Sequence, residues 1–229
     1  MSNFFTVQID TINRAEALNF LAYKGEPDEN LSALMDNSEK RLLAAVRGKF
    51  TFRVFDILPC EEGISLCGST MTMTGQDISS LLDGCTKAAL ICATAGADVD
   101  KLIRGAQISD MAEAVVIDAM AGCAVEAVCD AAEDKIRAEY PAMFMTWRYS
   151  PGYGDLPITL QKQFLDVTNA GRFIGLCTND SFVLNPKKSV TAIVGLSDKP
   201  LNKKKQGCTS CALRESCNFR KKGLRCYYD

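Results

Sequence analysis

Apolar residues recur at helical spacing over two N-terminal stretches, residues 12–24 and 29–47. In the second, Leu31, Leu34, Leu42, Leu43 and Val46 share one face, and Gly48 closes it, as helix ends favour. The period then changes. Residues 50–58 (Phe-Thr-Phe-Arg-Val-Phe-Asp-Ile-Leu) alternate like a half-buried strand, with Pro59 as the expected stop. Residues 64–67 read as its partner across Glu61-Glu62-Gly63, and 76–83 as a short helix. Residues 87–94 hold the most apolar run, Ala88 to Ala93, and read as a buried strand, after which Gly96, Asp98 and Asp100 mark a helix start.

A long helix is predicted from Asp110 to Glu139. Ala119, Cys123, Ala127 and Ala131 form a stripe of small residues at i+4, which lets a backbone approach a neighbour closely. Glu113, Asp118, Glu126, Asp130, Glu133 and Asp134 exclude a membrane helix, and most of them read as a solvated face. Tyr140-Pro141 ends the helix. A strand over 143–148, a Gly/Pro-rich loop to Pro157, a helix over 158–168 and strands near 181–184 and 189–195 follow. The mixture predicts an α+β fold with a twisted, largely antiparallel sheet and long helices. The polar segment 198–206 reads as a linker, dividing the chain into a body, 1–198, and a tail, 199–229.

The tail carries Cys208-x2-Cys211-x5-Cys217-x8-Cys226. Four thiolates at this spacing, in a chain with no histidine, point to an all-sulfur metal site, zinc or an iron–sulfur cluster, with paired disulfides as the alternative. Seven further cysteines, at 60, 67, 85, 92, 123, 129 and 177, are dispersed, which argues against a secreted disulfide framework and for a reducing cytoplasm. No secretory signal and no membrane span are visible. The net charge of −2 conceals an asymmetry: residues 203–229 hold eight Lys/Arg against Glu215 and Asp229, net +6, so the remainder carries −8. A basic tail suits nucleic acid, an acidic partner or the body itself, and the acidic body makes nucleic acid the weakest of these readings. The absence of histidine excludes Ser-His-Asp and Cys-His machinery.

Arg148-Tyr149-Ser150-Pro151-Gly152-Tyr153, then a helix, then Pro186-Lys187-Lys188-Ser189-Val190 reproduce an ordered pattern, Arg-x3-Gly-Tyr, helix, Pro-x2-Ser-Val. Together with the Thr94-Ala-Gly96 turn and the Ala-Val-Glu126-Ala-Val segment, over about residues 86–196, this resembles the reactivation (activation) domain of cobalamin-dependent methionine synthase. The family's usual Pro-Ala-Cys-Pro after Gly-Tyr is here Gly154-Asp155-Leu156-Pro157.

The resemblance implies a stand-alone accessory that binds S-adenosylmethionine and supports reductive methylation of cob(II)alamin on a partner corrinoid protein, with the electron from a redox donor protein. It implies that Arg148 pairs with the ligand carboxylate, Glu126 takes its ammonium group, main chain near Ser150 holds the adenosine, Gly152 allows close approach and Tyr153 shapes the pocket. Methyl transfer to cobalt needs positioning rather than a histidine base. Beside that function, iron–sulfur ranks above zinc at Cys208, Cys211, Cys217 and Cys226, because a cluster would carry an electron. The alternatives are a non-catalytic corrinoid-protein docking module that no longer binds S-adenosylmethionine, and a nucleic-acid-binding metal-tail protein. No Cys-x3-Cys-x2-Cys or Gly-x-Gly-x2-Gly run is present, so radical S-adenosylmethionine and Rossmann chemistries have no support.

Overall fold

A computed structural model describes residues 4–201. The four tail cysteines, Cys208, Cys211, Cys217 and Cys226, lie outside the described residues.

The N-terminal third forms β1 (Phe5–Val7), α1 (Arg14–Phe20), α2 (Glu29–Ala45), β2 (Gly48–Cys60), β3 (Gly63–Leu66) and β4 (Thr72–Met73). Then come α3 (Gln76–Leu82), β5 (Lys87–Thr94), α4 (Ala97–Ser109) and α5 (Met111–Glu139). The C-terminal part adds β6 (Phe144–Met145), α6 (Leu160–Thr168), α7 (Ala170–Ile174), β7 (Cys177–Thr178), β8 (Leu184–Asn185) and β9 (Ser189–Ser197). Short polar side chains start the helices where the sequence supplies them. Asn13 accepts from Glu16 N, Asp28 from Leu31 N, and Asp110 from Ala112 N and Glu113 N. Asp110 also ends α4, so one residue breaks the two helices apart.

The main sheet runs β4-β3-β2-β5-β9-β6, with β1 also paired to β2, and every pairing in it is antiparallel. The α+β, antiparallel expectation holds. Period-two alternation sends Ala89, Ile91 and Ala93 of β5 and Ala192 and Val194 of β9 to one face, against Val128, Cys129, Ala132 and Ile136 of α5. Leu90 and Cys92 of β5 and Ile193 of β9 face the other way, into a core with Leu82 of α3, Phe164 and Leu165 of α6 and Ile174 of α7. A third cluster joins α1, α2, α4 and the N-terminal half of α5.

Three expectations are corrected. Pro59 does not stop β2, which continues to Cys60. Pairing with β5 ends at Asp56↔Lys87, while Pro59 stays paired with Ile64 of β3. Ile57 N donates to Thr86 O on the β5 side, and two residues on the Pro59 nitrogen points to that same side, where β5 is absent, so no ladder bond is lost. The small-residue stripe packs, but turns partly outward along its length. Ala119 and Cys123 are buried, while Ala127 and Ala131 are half-buried, Ala131 still against the sheet-facing core, because an i+4 series drifts about 40° per step on a 3.6-residue helix. Val128, Cys129, Ala132 and Ile136 face the sheet. The predicted helix 158–168 begins at Leu160 and is followed, after Asn169 in the left-handed conformation, by α7, which was not expected.

The loop after β6 is fastened at three places. Residues 144–149 run along β9 through Met145↔Leu196, Thr146 N to Gly195 O, and a two-bond bridge between Tyr149 and Ile193. Helix α3 starts at Gly75, which has no capping side chain, and Asp155 takes that role from 79 residues away by accepting from Gln76 N (2.6 Å) and Asp77 N (3.1 Å). Leu156 is buried, and Gly154, at φ +51°, leaves no room for a Cβ beside Asp77 Oδ2 and the Tyr149 hydroxyl.

Asp155→Ala therefore removes a helix cap and is expected to cost about 1 kcal/mol, lowering Tm by about 2–4 °C in a melting experiment. Thiol alkylation followed by peptide mapping is expected to label Cys60, Cys67 and Cys177, which are exposed, and to spare buried Cys92, Cys123 and Cys129 until the chain unfolds. Burial pushes the Cys92 and Cys123 thiols up to about 12 and raises Cys129 as well, so thiolate is scarce at neutral pH.

Candidate functional site

Tyr149 is the hinge of the site. Its bridge to Ile193 sets its ring toward the α3 side, where the hydroxyl donates to Asp77 Oδ2 at 3.2 Å. Arg148 and Ser150, one residue to either side, are turned the opposite way by strand alternation, toward α5. Helix α5 offers Glu126, Asp130 and Glu133 there, at i, i+4 and i+7, a single stripe on a helix surface.

The stripe closes on the guanidinium. Arg148 Nη2 meets Glu126 Oε2 at 3.0 Å, while Nη1 meets Asp130 Oδ1 at 2.7 Å and Glu133 Oε1 at 2.9 Å. Burial alone would lower the Arg148 pKa, but Cys129 and the carboxylates of Asp130, Glu133 and Glu126 together outweigh it and hold the group above its ordinary value. Burial raises Glu133, with Arg148 opposing. Across the cluster, on α1, Glu16 is also raised, by burial and then by the negative charges of Glu126 and Asp130.

A cavity of about 200 Å³ opens beside this cluster, lined by Glu126, Arg148, Tyr149, Ser150, Tyr153 and Val190. The Tyr149 and Tyr153 rings lie 6.4 Å apart at 56°. Four of the five residues singled out in the sequence thus share one wall: Glu126, Arg148, Ser150 and Tyr153. Gly152 is not on it. At φ +93° it makes the turn, and a Cβ there would stand 2.9 Å from Ile158 Cδ1, so the close approach it permits is within the loop.

Sequence reasoning passed over Asp130 and Glu133 as solvated charges. Glu133 is only one-fifth exposed, and both carboxylates hold Arg148. Their spacing from Glu126 was the available signal. Tyr149 and Val190, named only as parts of motifs, also line the cavity.

Two larger clefts carry less chemistry. One, of about 460 Å³, lies against α6 and the β7–β8 hairpin, and its Asn179 Oδ1 is already taken by Ser181 N and Val183 N. The other, of about 560 Å³, has Glu61, Glu62 and Asp83 on its walls and no Lys or Arg. Among the described residues no cluster of three or more His, Cys, Asp or Glu is arranged to hold a metal ion, and no helix is long and apolar enough to cross a membrane.

No protein-family model and no curated protein matches the chain. Among solved structures, the fold is similar to that of the MetH reactivation domain bound to AdoHcy, with a TM-score of 0.68 and 14% identity, covering 97% of this chain and 86% of that one. The two chains therefore share a fold at low sequence identity.

Proposed function

We propose that the chain binds S-adenosylmethionine at the Glu126–Arg148 cavity and serves as a reactivation component for a cobalamin-dependent methionine synthase or related corrinoid protein. The observation that carries the reading is the adjacent pair of opposite charges on the cavity wall, Glu126 Oε2 and Arg148 Nη2, 3.0 Å apart. An α-amino acid zwitterion is complementary to such a pair: its carboxylate suits the guanidinium edge and its ammonium the glutamate. The AdoHcy held by the structural neighbour is the demethylated form of the same ligand.

The donor set fits the whole ligand in kind. About 200 Å³ is below the roughly 300–1,000 Å³ of most small-molecule pockets, so the cavity suits the amino-acid end, with the adenosine along the main chain of Ser150 to Tyr153. The exposed ring of Tyr153 suits a sulfonium cation. When bound, S-adenosylmethionine supplies the methyl group for a corrinoid held by a partner, and one electron comes from a redox donor. The residues of this chain bind and orient. The four tail cysteines belong to this proposal as the ligands of an iron–sulfur cluster or zinc, the former giving the electron a route.

Arg148 already meets three carboxylates, which supports a second reading: a docking module for a corrinoid protein that no longer takes the ligand. Calorimetry separates the two. S-adenosylmethionine is expected to bind the wild type, and Glu126→Gln, which keeps the side-chain shape, is expected to weaken it by about 1.5–3 kcal/mol, roughly ten- to hundredfold. No heat of binding to folded wild type would leave only the docking module. For the tail, anaerobic purification with metal analysis is expected to give iron and sulfide with visible absorbance. A single zinc in a colourless protein would make it a structural clip.

A further inference from the structure

We infer that the basic start of the tail, Lys203-Lys204-Lys205, docks on the body of its own chain, in the cleft between the β2–β3 turn and α3. The inference does not depend on what the Glu126–Arg148 cavity binds.

The cleft, of about 560 Å³, has an apolar floor of Ile57, Ile64 and Leu82, all buried. Glu61, Glu62 and Asp83 stand exposed on its walls, and no Lys or Arg lines it. Other acids near the end of β9 are already answered, Asp56 by Lys87 and Glu139 by Lys135. The cleft thus offers carboxylates over an apolar floor, which suits the long apolar stems and charged heads of lysines.

The chain leaves the sheet beside this cleft. A Cβ on Gly195 of β9 would stand 2.6 Å from Cys85 Sγ and 2.9 Å from Leu82 Cδ2, both on the cleft wall, and Thr86 N donates to Leu196 O. The Ser197 hydroxyl then donates to Lys199 O and accepts from Lys199 N, turning the chain, and Leu201 is still half-buried. From Ser197 to Lys203 an extended chain spans at most about 20 Å, so the lysines start within reach of the acidic walls. Residues 203–229 carry net +6 against −8 on the remainder. Exposed ion pairs are individually weak, but a short tether makes their formation intramolecular and raises the effective concentration to the millimolar range. Gly75 and Gln76 also line the cleft, and Asp155 caps α3 there. Docking therefore tethers the four-cysteine tail on the side of the sheet that anchors the Arg148 loop.

The test is carbodiimide cross-linking of the full-length protein, which joins a lysine amine to a touching carboxylate as an amide with loss of water, followed by peptide mapping. Unlabelled and isotope-labelled chains are mixed, so that links within one chain and between two are told apart by mass. Links from Lys203, Lys204 or Lys205 to Glu61, Glu62 or Asp83 are expected within one chain at low salt. They are expected to disappear in about 1 M salt, where the screening length is about 3 Å. In Glu61→Gln/Glu62→Gln, with melting curves as a fold control, Asp83 remains as the reporter, and its links to the three lysines are expected to fall at least about threefold. Links spread evenly over distant exposed acids such as Glu26 and Asp180, or formed only between differently labelled chains, would overturn the inference. So would the absence of links, or an undiminished Asp83 yield in the folded double variant. S-adenosylmethionine binding is expected to survive the double variant, so each of these results leaves the reading of the Glu126–Arg148 cavity standing.

Discussion

Helix α5 is seated on the sheet through small residues on both sides of the contact. Ala89, Ala93 and Ala192 below and Cys129 and Ala132 above leave little between the two backbones, and even Gly48 at the start of β2 would bring a Cβ to 3.0 Å from Val128 Cγ2. Larger side chains there would lift the helix, since well-packed interiors do not absorb added volume without displacement. The height of α5 matters beyond stability, because the adjoining flank of the same turns carries Glu126, Asp130 and Glu133. Their reach to Arg148 is set by how low the helix lies.

The other half of the cluster is fixed independently. Arg148 precedes the residue that bridges to β9, so its position is inherited from the central sheet, and the sheet is in turn the surface on which α5 rests. Helix and arginine share one reference frame. That arrangement holds three carboxylates around one cation although like charges at i+4 on a helix repel. The guanidinium relieves the repulsion, and α5 and the loop are tied together by the same contact. Removing Arg148 would leave the negative groups facing one another and loosen both elements.

Much of this was legible in the residues. Alternation from Phe50 to Leu58, the buried run at 87–94 and the capped start at Asp110 each announced their element, because local period and capping chemistry decide such segments. The wall residues Glu126, Arg148, Ser150 and Tyr153 were legible through the order of short motifs rather than through any one of them. What escaped depends on tertiary pairing. Phe5–Val7, Thr72–Met73 and Cys177–Thr178 are too short to show a period, and Pro59 is tolerated only because β5 ends before it. Asp130 and Glu133 look like any exposed helical acids until the Arg148 loop is placed over them, a contact made across 15–18 residues that a helical wheel does not contain.

Gly154-Asp155-Leu156-Pro157, standing where the family that the sequence resembles has Pro-Ala-Cys-Pro, holds its place without a proline-rich run. Proline-rich segments hold a shape by restricting their own dihedrals. This chain uses contacts instead: Asp155 on the start of α3, Leu156 in the core, Gly154 in the crowded turn against Asp77 and Tyr149. All of these partners lie on the α3 side of the sheet, away from α5. The loop is thus anchored on one side and presents Arg148, Ser150 and Tyr153 on the other, so its geometry does not depend on what enters the cavity. A wall set before binding keeps the ordering cost low.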